Sequence, residues 1–300
     1  MVTISSRRPA PPRTVRVGGV GKGVAELVWV AAALALTAAL AGLLVDGVYT
    51  GAASTAQILR GYDVATAVLV VPALSVAAGY LRRGSRSGRL VCAGLLADLV
   101  YGYAFYVFGT GFNDLFLLHV AVFSVCLTAL MLTLAGADLA AVAERLHAAA
   151  RVWPAAAALA LLAASLGGMW ISAAVVNAVN GTVPAGSRLV ETTTVVHLGM
   201  TLDLAVQVPL YAAAAVLLWR RSAWGYVLAF VALLSGIPEQ VSYLVGMPMQ
   251  VLAGVPGAVA FDPLEPVILA VYALGLVMLL VDTRPAREPV RTATASGREE

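Results

Sequence analysis

Apolar residues fall into eight long runs, near residues 26–47, 63–81, 90–109, 115–136, 153–177, 199–219, 224–246 and 265–282. Short stretches rich in Gly, Pro, Arg or Asp separate them. About 20 consecutive apolar residues are needed to cross a bilayer core as a helix. Only a helix or a closed barrel satisfies every backbone N–H and C=O there. The pattern therefore predicts an all-α polytopic membrane protein with eight transmembrane helices. Residues 1–23 and 284–300 carry too little apolar surface to pack and are expected to be disordered cytoplasmic tails. The first apolar run starts late and is long enough to span, so no cleavable signal peptide is expected.

The runs form a pattern that occurs twice. Val28-Trp29-Val30-Ala31-Ala32-Ala33 is echoed by Val152-Trp153-Pro154-Ala155-Ala156-Ala157. Val71-Pro72 leads to Arg82-Arg83 as Val208-Pro209 leads to Arg220-Arg221, and Phe112-Asn113-Asp114-Leu115 is matched by Phe261-Asp262-Pro263-Leu264. Two four-helix repeats are expected, 24–136 and 152–283, joined by a cytoplasmic linker at 137–151 that contains Asp138, Glu144, Arg145 and His147. An even number of helices per unit makes the repeats parallel, related by an axis along the membrane normal. Counting from Arg83 and Arg221 pairs Asp98 with Gly236 and Tyr101 with Glu239. Counting from the Phe112 and Phe261 elements pairs His119 with Ile268 and Phe116 with Glu265. On this count the scaffold repeats and the ionisable groups do not.

Composition agrees, with 61% hydrophobic and 12% charged residues, against about a quarter charged in soluble domains. With both termini inside, seventeen of the nineteen Lys and Arg fall on the cytoplasmic side, leaving only Arg60 and Arg188 outside. The positive-inside rule explains this bias. The net charge of +3 is thus a matter of topology rather than of nucleic-acid binding. Cys92 and Cys126 match no redox or zinc spacing and read as small core residues. Asn180-Gly181-Thr182 matches a glycosylation sequon, but the Ala-, Val- and Arg-rich composition points to a bacterial source, where the match is chance.

Ionisable residues inside spans are costly and usually face the bundle or a water-filled cavity. Asp98 is central in the third span and reads either as a proton or cation site or as a protonated acid bonded to a neighbouring helix. Asp203, Gln207 and Tyr211 recur every four residues on the sixth, either as a polar seam between helices or as a substrate path. Pro238, beside Gly236 and Glu239, predicts a kink or break in the seventh helix. His119 lies near the outer end of the fourth span. Tyr101 belongs to an aromatic run, Tyr101 to Phe108, that suits an outer interfacial belt. Ligand- or ion-binding candidates are therefore Asp98, Tyr101, His119, Asp203, Gln207 and Glu239, sharing a cavity in the outer half of the bilayer. Asp46, Asp63, Asp114, Asp262 and Glu265 gather at outer helix ends, where capping explains them. No cofactor or metal is expected. His119 and His197 are the one pair able to supply two axial haem ligands, with hydrogen-bonded or interfacial histidine as the alternative.

The segments Gly61-Tyr62-Asp63, Tyr101 to Gly109 with Phe112 to Phe116, and Leu202-Asp203-Leu204 resemble an uncharacterised family of bacterial multi-pass membrane proteins. The resemblance implies the fold and carries no activity. No HExxH, GxSxG, nucleotide-binding loop or paired-aspartate motif is present in the sequence. The expectation is a carrier or binding protein for a small molecule, ion or lipid, in the bacterial inner membrane, whose partners are the bilayer and that ligand. A membrane-embedded enzyme or haem protein, and a structural or signalling component acting through partner proteins, remain open alternatives.

Overall fold

The computed structural model describes residues 17–148, 152–182 and 188–281. Most of the expected tails, residues 1–16 and 284–300, and residues 149–151 of the linker lie outside them. No strand occurs among the described residues. Eight helices are long and apolar enough to cross a membrane. They are α1 (Val17–Leu44), α2 (Ala53–Arg82), α3 (Arg86–Phe108), α4 (Phe116–Ala135), α6 (Trp153–Asn180), α7 (Thr193–Trp219), α8 (Ala223–Leu252) and α9 (Leu264–Val281). A short helix, α5 (Leu139–Ala148), lies in the linker between α4 and α6.

Several helices are longer than hydropathy implies. α1 begins at Val17, so the end of the expected N-terminal tail is helical. α2 and α7 begin well ahead of their apolar runs, at Ala53 and Thr193, and α8 continues past residue 246 to Leu252. The added turns of α2 contain Ser54, Thr55, Gln57 and Arg60, which lower hydropathy, yet Ser54 and Thr55 are buried against the rest of the bundle. A 30-residue helix is about 45 Å long, so α2 and α8 reach beyond the hydrocarbon core of about 30 Å.

Within each half the helices form a closed ring. α1 packs on α2, α2 on α3, α3 on α4 and α4 on α1; α6, α7, α8 and α9 repeat that order. Each half has its own apolar core. One is built round Leu74, Leu96, Leu99 and Val122, and the other round Leu159, Leu218, Leu233 and Leu279. Between halves, α8 packs along α2 and α3, and α3 also touches α7. Gly61 makes the α2–α8 approach possible, because a Cβ there would lie 2.7 Å from the Ser242 carbonyl oxygen and 2.9 Å from Gly246 Cα. Trp29, Leu40, Val76, Leu117, Leu161, Val267 and Leu274 are exposed. Such an apolar exterior is a liability in water and the expected surface in lipid.

Local geometry recurs at matching places. α2 and α7 each contain a π-helical turn, Thr66–Val70 and Asp203–Gln207. The N–H of Val71 donates to Thr66 O, five residues back, and that of Val208 donates to Asp203 O in the same way. Each turn ends at a Val-Pro pair. Proline has no N–H to close an ordinary helical bond, and the wide turn accommodates that lack. α2 and α7 then end with C-caps at Arg83 and Arg220, followed by left-handed Gly84 (φ 82°) and Arg221 (φ 56°). α3 and α8 start after extended Ser85 and Ser222. Asn113 and Asp262 each accept a bond from the N–H two residues on, at 3.0 Å, to start α4 and α9.

These caps change how the halves correspond. Arg83 matches Arg220 rather than Arg221, so Asp98 pairs with Ser235, Tyr101 with Pro238, and Gly102 with Glu239. The Val-Trp landmark does not correspond structurally: Trp29 lies inside α1, whereas Trp153 is the first residue of α6. Both helices are 28 residues long and Ala-rich, and such composition repeats short strings by accident.

Of the kink or break expected in the seventh helix, the break does not occur. α8 runs unbroken through Pro238 and Pro248. Packed membrane helices tolerate proline, and α8 has neighbours on several sides. The irregular turns fall instead in α2 and α7.

Candidate functional site

The ionisable candidates gather where α2, α3, α7 and α8 meet. Asp203 opens the π-helical turn of α7 and is 7% exposed. Its Oδ1 accepts the Tyr101 hydroxyl from α3 at 2.7 Å, and its Oδ2 accepts the Trp170 indole N–H from α6 at 2.6 Å. Ten residues of α7 precede Asp203, so it lies well inside the helix. Further along α7, Gln207 and Tyr211 follow at four-residue spacing, with Tyr211 in electrostatic reach of Asp203. Tyr211 donates to Gln207 at 2.5 Å and lies 2.9 Å from the Tyr272 hydroxyl of α9.

Glu239 stands mid-way along α8. Its Oε1 accepts the hydroxyl of Tyr62 from α2, and its Oε2 is buried with no hydrogen-bond partner. Asp98 and Asp203 both lie within electrostatic reach of it, on different helices. The rings of Tyr62 and Tyr243 meet edge to face, 6.5 Å apart, beside the same carboxylate. An unpaired polar atom in a low-dielectric interior is costly. This arrangement therefore has capacity left for a proton or a small cation.

Asp98 is 8% exposed and lines a cavity of about 10 Å³ with Tyr62, Thr66, Tyr106 and Ser242. That is room for about one water. At this point the acids are packed closely against their neighbours.

His119 belongs elsewhere. Fully buried, it has neither ring nitrogen hydrogen-bonded, and it is enclosed by Tyr49, Tyr103 and Tyr106, with ring centroids 4.7 to 6.4 Å away. His197, its expected partner for haem, is exposed on α7. Among the described residues no group of three His, Cys, Asp or Glu side chains is placed to hold a metal.

Asp63 is the main residue that sequence reasoning assigned differently. It lies well inside α2 rather than at a helix start, is 1% exposed, and accepts Tyr49 at 2.6 Å and Tyr106 at 2.8 Å. Its apolar run begins at residue 63, so hydropathy gave no sign of the nearly three helical turns before it. Burial, then the Asp63 carboxylate, push the Tyr49 hydroxyl far above its ordinary range.

The end of the seam near Val190 is closed by polar side chains, of which the sequence did not single out Gln240, Gln250 or Glu191. Gln250 of α8 donates to Val190 O at 2.7 Å and Ser54 O at 3.1 Å, and accepts from Val190 N–H at 3.0 Å. Gln240 donates to the buried Glu265 of α9. Beside them Glu191, in the segment before α7, is pushed up to about 7 by desolvation, then by Asp203 and Glu265. Arg188 pairs loosely with Asp262 at 3.7 Å. Only the fold shows these contacts, because each links segments far apart in the chain.

The fold and this seam together define a multi-pass α-helical membrane protein with acids buried between two helical halves. Comparison with protein-family models, with curated proteins and with solved structures finds no match.

Proposed function

We propose that this protein is a carrier or binding protein of the bacterial inner membrane, with a proton- or cation-binding site at Glu239, near Asp203 and Asp98, in the seam between two parallel four-helix repeats. The arginine-rich ends of α2, α3 and α7 face the cytoplasm on this reading, in keeping with the positive-inside rule. The duplication is supported by the recurring π-helical turns, caps and Asx turns. A single asymmetric site on a symmetric frame follows from the pairing of Asp98 with Ser235 and of Glu239 with Gly102.

The observation that carries the reading is the buried, unpartnered Oε2 of Glu239, with two further acids in reach. Intramembrane acids of this kind mark ion paths and proton relays. Tyr62 and Tyr101 hold Glu239 and Asp203 by hydroxyl donors, so a tyrosine can follow its acid as the proton or cation enters and leaves. Tyr101 orients Asp203, and Gln207 orients Tyr211 at the edge of the same seam. His119 stands outside the site. The water-sized space favours a proton or dehydrated cation as the ion bound at the acids.

The test is reconstitution in liposomes carrying an internal pH dye, with panels of inorganic cations and small metabolites outside. Wild type should change internal pH with at least one panel member, and Glu239→Gln should slow that change at least tenfold. If wild type produces no change with any panel member, or if Glu239→Gln and Asp203→Asn match wild type, the reading fails.

A further inference from the structure

Among the described residues, the largest concentration of positive charge lies at the opposite end of the spans from Glu191 and Gln250. Lys22 of α1, Arg82 and Arg83 at the end of α2, and Arg86 and Arg89 at the start of α3 line a cavity of about 490 Å³. α5 covers one side of it. That volume lies within the range of pockets for small ligands. Of the described residues that line it, Asp138 is the one acid, and that carboxylate is taken by Arg86 at 2.9 Å. Among the described residues, Lys22, Arg82, Arg83 and Arg89 have no acidic partner. Arg89 is half-buried, one turn into α3, and spends one N–H on Thr133 O at 3.3 Å.

Topology accounts for arginines at this end but not for their arrangement. The matching corner of the other half, Arg220 and Arg221 between α7 and α8, has fewer cations and does not line the cavity. Four cations converging from three helices, at the depth where lipid headgroups sit, with one guanidinium set one turn deeper, suit a phosphate oxyanion. Guanidinium groups bind phosphate through paired N–H donors, and basic pockets between helices at this level take anionic headgroups.

We propose that this cavity is a binding site for a phosphate-bearing anion, either the headgroup of an anionic phospholipid or a free phosphate, held by Arg82, Arg83, Arg89 and Lys22. The site is separate from the acidic seam and does not depend on what that seam carries. Its occupant bridges α1, α2, α3 and α5, so binding stiffens the arginine-rich end of the first half.

The experiment is thermal unfolding of the full-length protein in an uncharged detergent, titrated with phosphatidylglycerol, phosphatidylcholine, inorganic phosphate, or chloride at matched ionic strength. Phosphatidylglycerol should raise the unfolding temperature by several degrees where phosphatidylcholine does not. A matching rise with inorganic phosphate over chloride identifies free phosphate as a sufficient ligand, and its absence assigns the site to the lipid. Arg82→Gln with Arg83→Gln, both on exposed side chains, should weaken the apparent affinity at least tenfold. Lys22→Gln, on a different helix, should weaken it independently. Arg220→Gln with Arg221→Gly removes the same charge outside the cavity and should leave the affinity unchanged. Equal stabilisation by phosphatidylcholine, with no excess of phosphate over chloride, would overturn the proposal. Equal losses in the two double variants would do so as well, because they would show a general surface-charge effect.

Discussion

The halves approach closely at Gly61, and a single methyl group tests it. In Gly61→Ala the new Cβ would meet only backbone: the Ser242 carbonyl oxygen at 2.7 Å, and Gly246 Cα and N at 2.9 Å. Backbone cannot rotate away as a side chain can, so α2 and α8 must separate until these distances reach at least the 3.4 Å of ordinary contact. A gap of that order forfeits a quarter to a half of the dispersion energy along the opened stretch, and overpacking of this kind costs about 1–3 kcal/mol. The gain in helix propensity from Gly to Ala offsets up to about 1 kcal/mol. A net loss of about 1–2 kcal/mol should lower the unfolding temperature by several degrees, at roughly 2–4 °C per kcal/mol. The assay is unfolding of the detergent-purified protein, followed by the fluorescence of its five tryptophans. Two comparators make the result specific. Gly246 faces the same crossing, yet a Cβ there meets Ile58 Cα at 3.7 Å, an ordinary contact. Gly79, on the lipid side of α2, has nothing within 4 Å. Gly246→Ala and Gly79→Ala should leave the unfolding temperature unchanged or raise it. If Gly61→Ala behaves like either of them, α2 and α8 do not cross as closely as described and the reasoning is wrong.

Two further outcomes follow from the same structure. Glu191 holds its proton in the folded state up to a pH of about 7, above its unfolded value of 4.5; its contribution to stability is therefore full below pH 4.5 and lost as pH rises through 7. Unfolding temperature measured across that window should fall with pH in wild type, and Glu191→Gln should show a shallower fall; identical profiles would mean that Glu191 is not desolvated. Trp170→Phe removes the indole donor from Asp203 Oδ2 and leaves a buried acceptor unpaired, a loss of about 1–3 kcal/mol, whereas Trp153→Phe, at a side chain 56% exposed, should cost far less; equal shifts for the two would show that the indole bond adds nothing.

Much of the fold is legible in the chain because a membrane imposes so strong a rule. A segment that must satisfy its own backbone in hydrocarbon needs a long apolar helix, and eight such runs are visible without further information. The Val-Pro and Phe-Asn/Asp-x-Leu landmarks marked local geometry faithfully, since proline and Asx chemistry act within a few residues: the π turns precede Pro72 and Pro209, and the Asx turns start α4 and α9. Val28-Trp29 and Val152-Trp153 carried no such constraint and proved unrelated in position. Pro238 does not end its helix: proline removes a donor wherever it stands, but the residues on either side stay helical in a helix packed against α2, α3 and α9.

The amino-acid sequence alone thus determined the all-helical, eight-span architecture and the arginine-rich end, because these depend on quantities summed along the chain. Tertiary structure decided which acids are paired and which are left over. Asp203 meets Tyr101 and Trp170, Asp63 meets Tyr49 and Tyr106, and Glu239 keeps one oxygen free, through contacts between residues as many as 177 positions apart. Hydropathy counts such a polar group as a cost wherever it lies, and only three-dimensional packing shows whether a partner from another helix removes that cost.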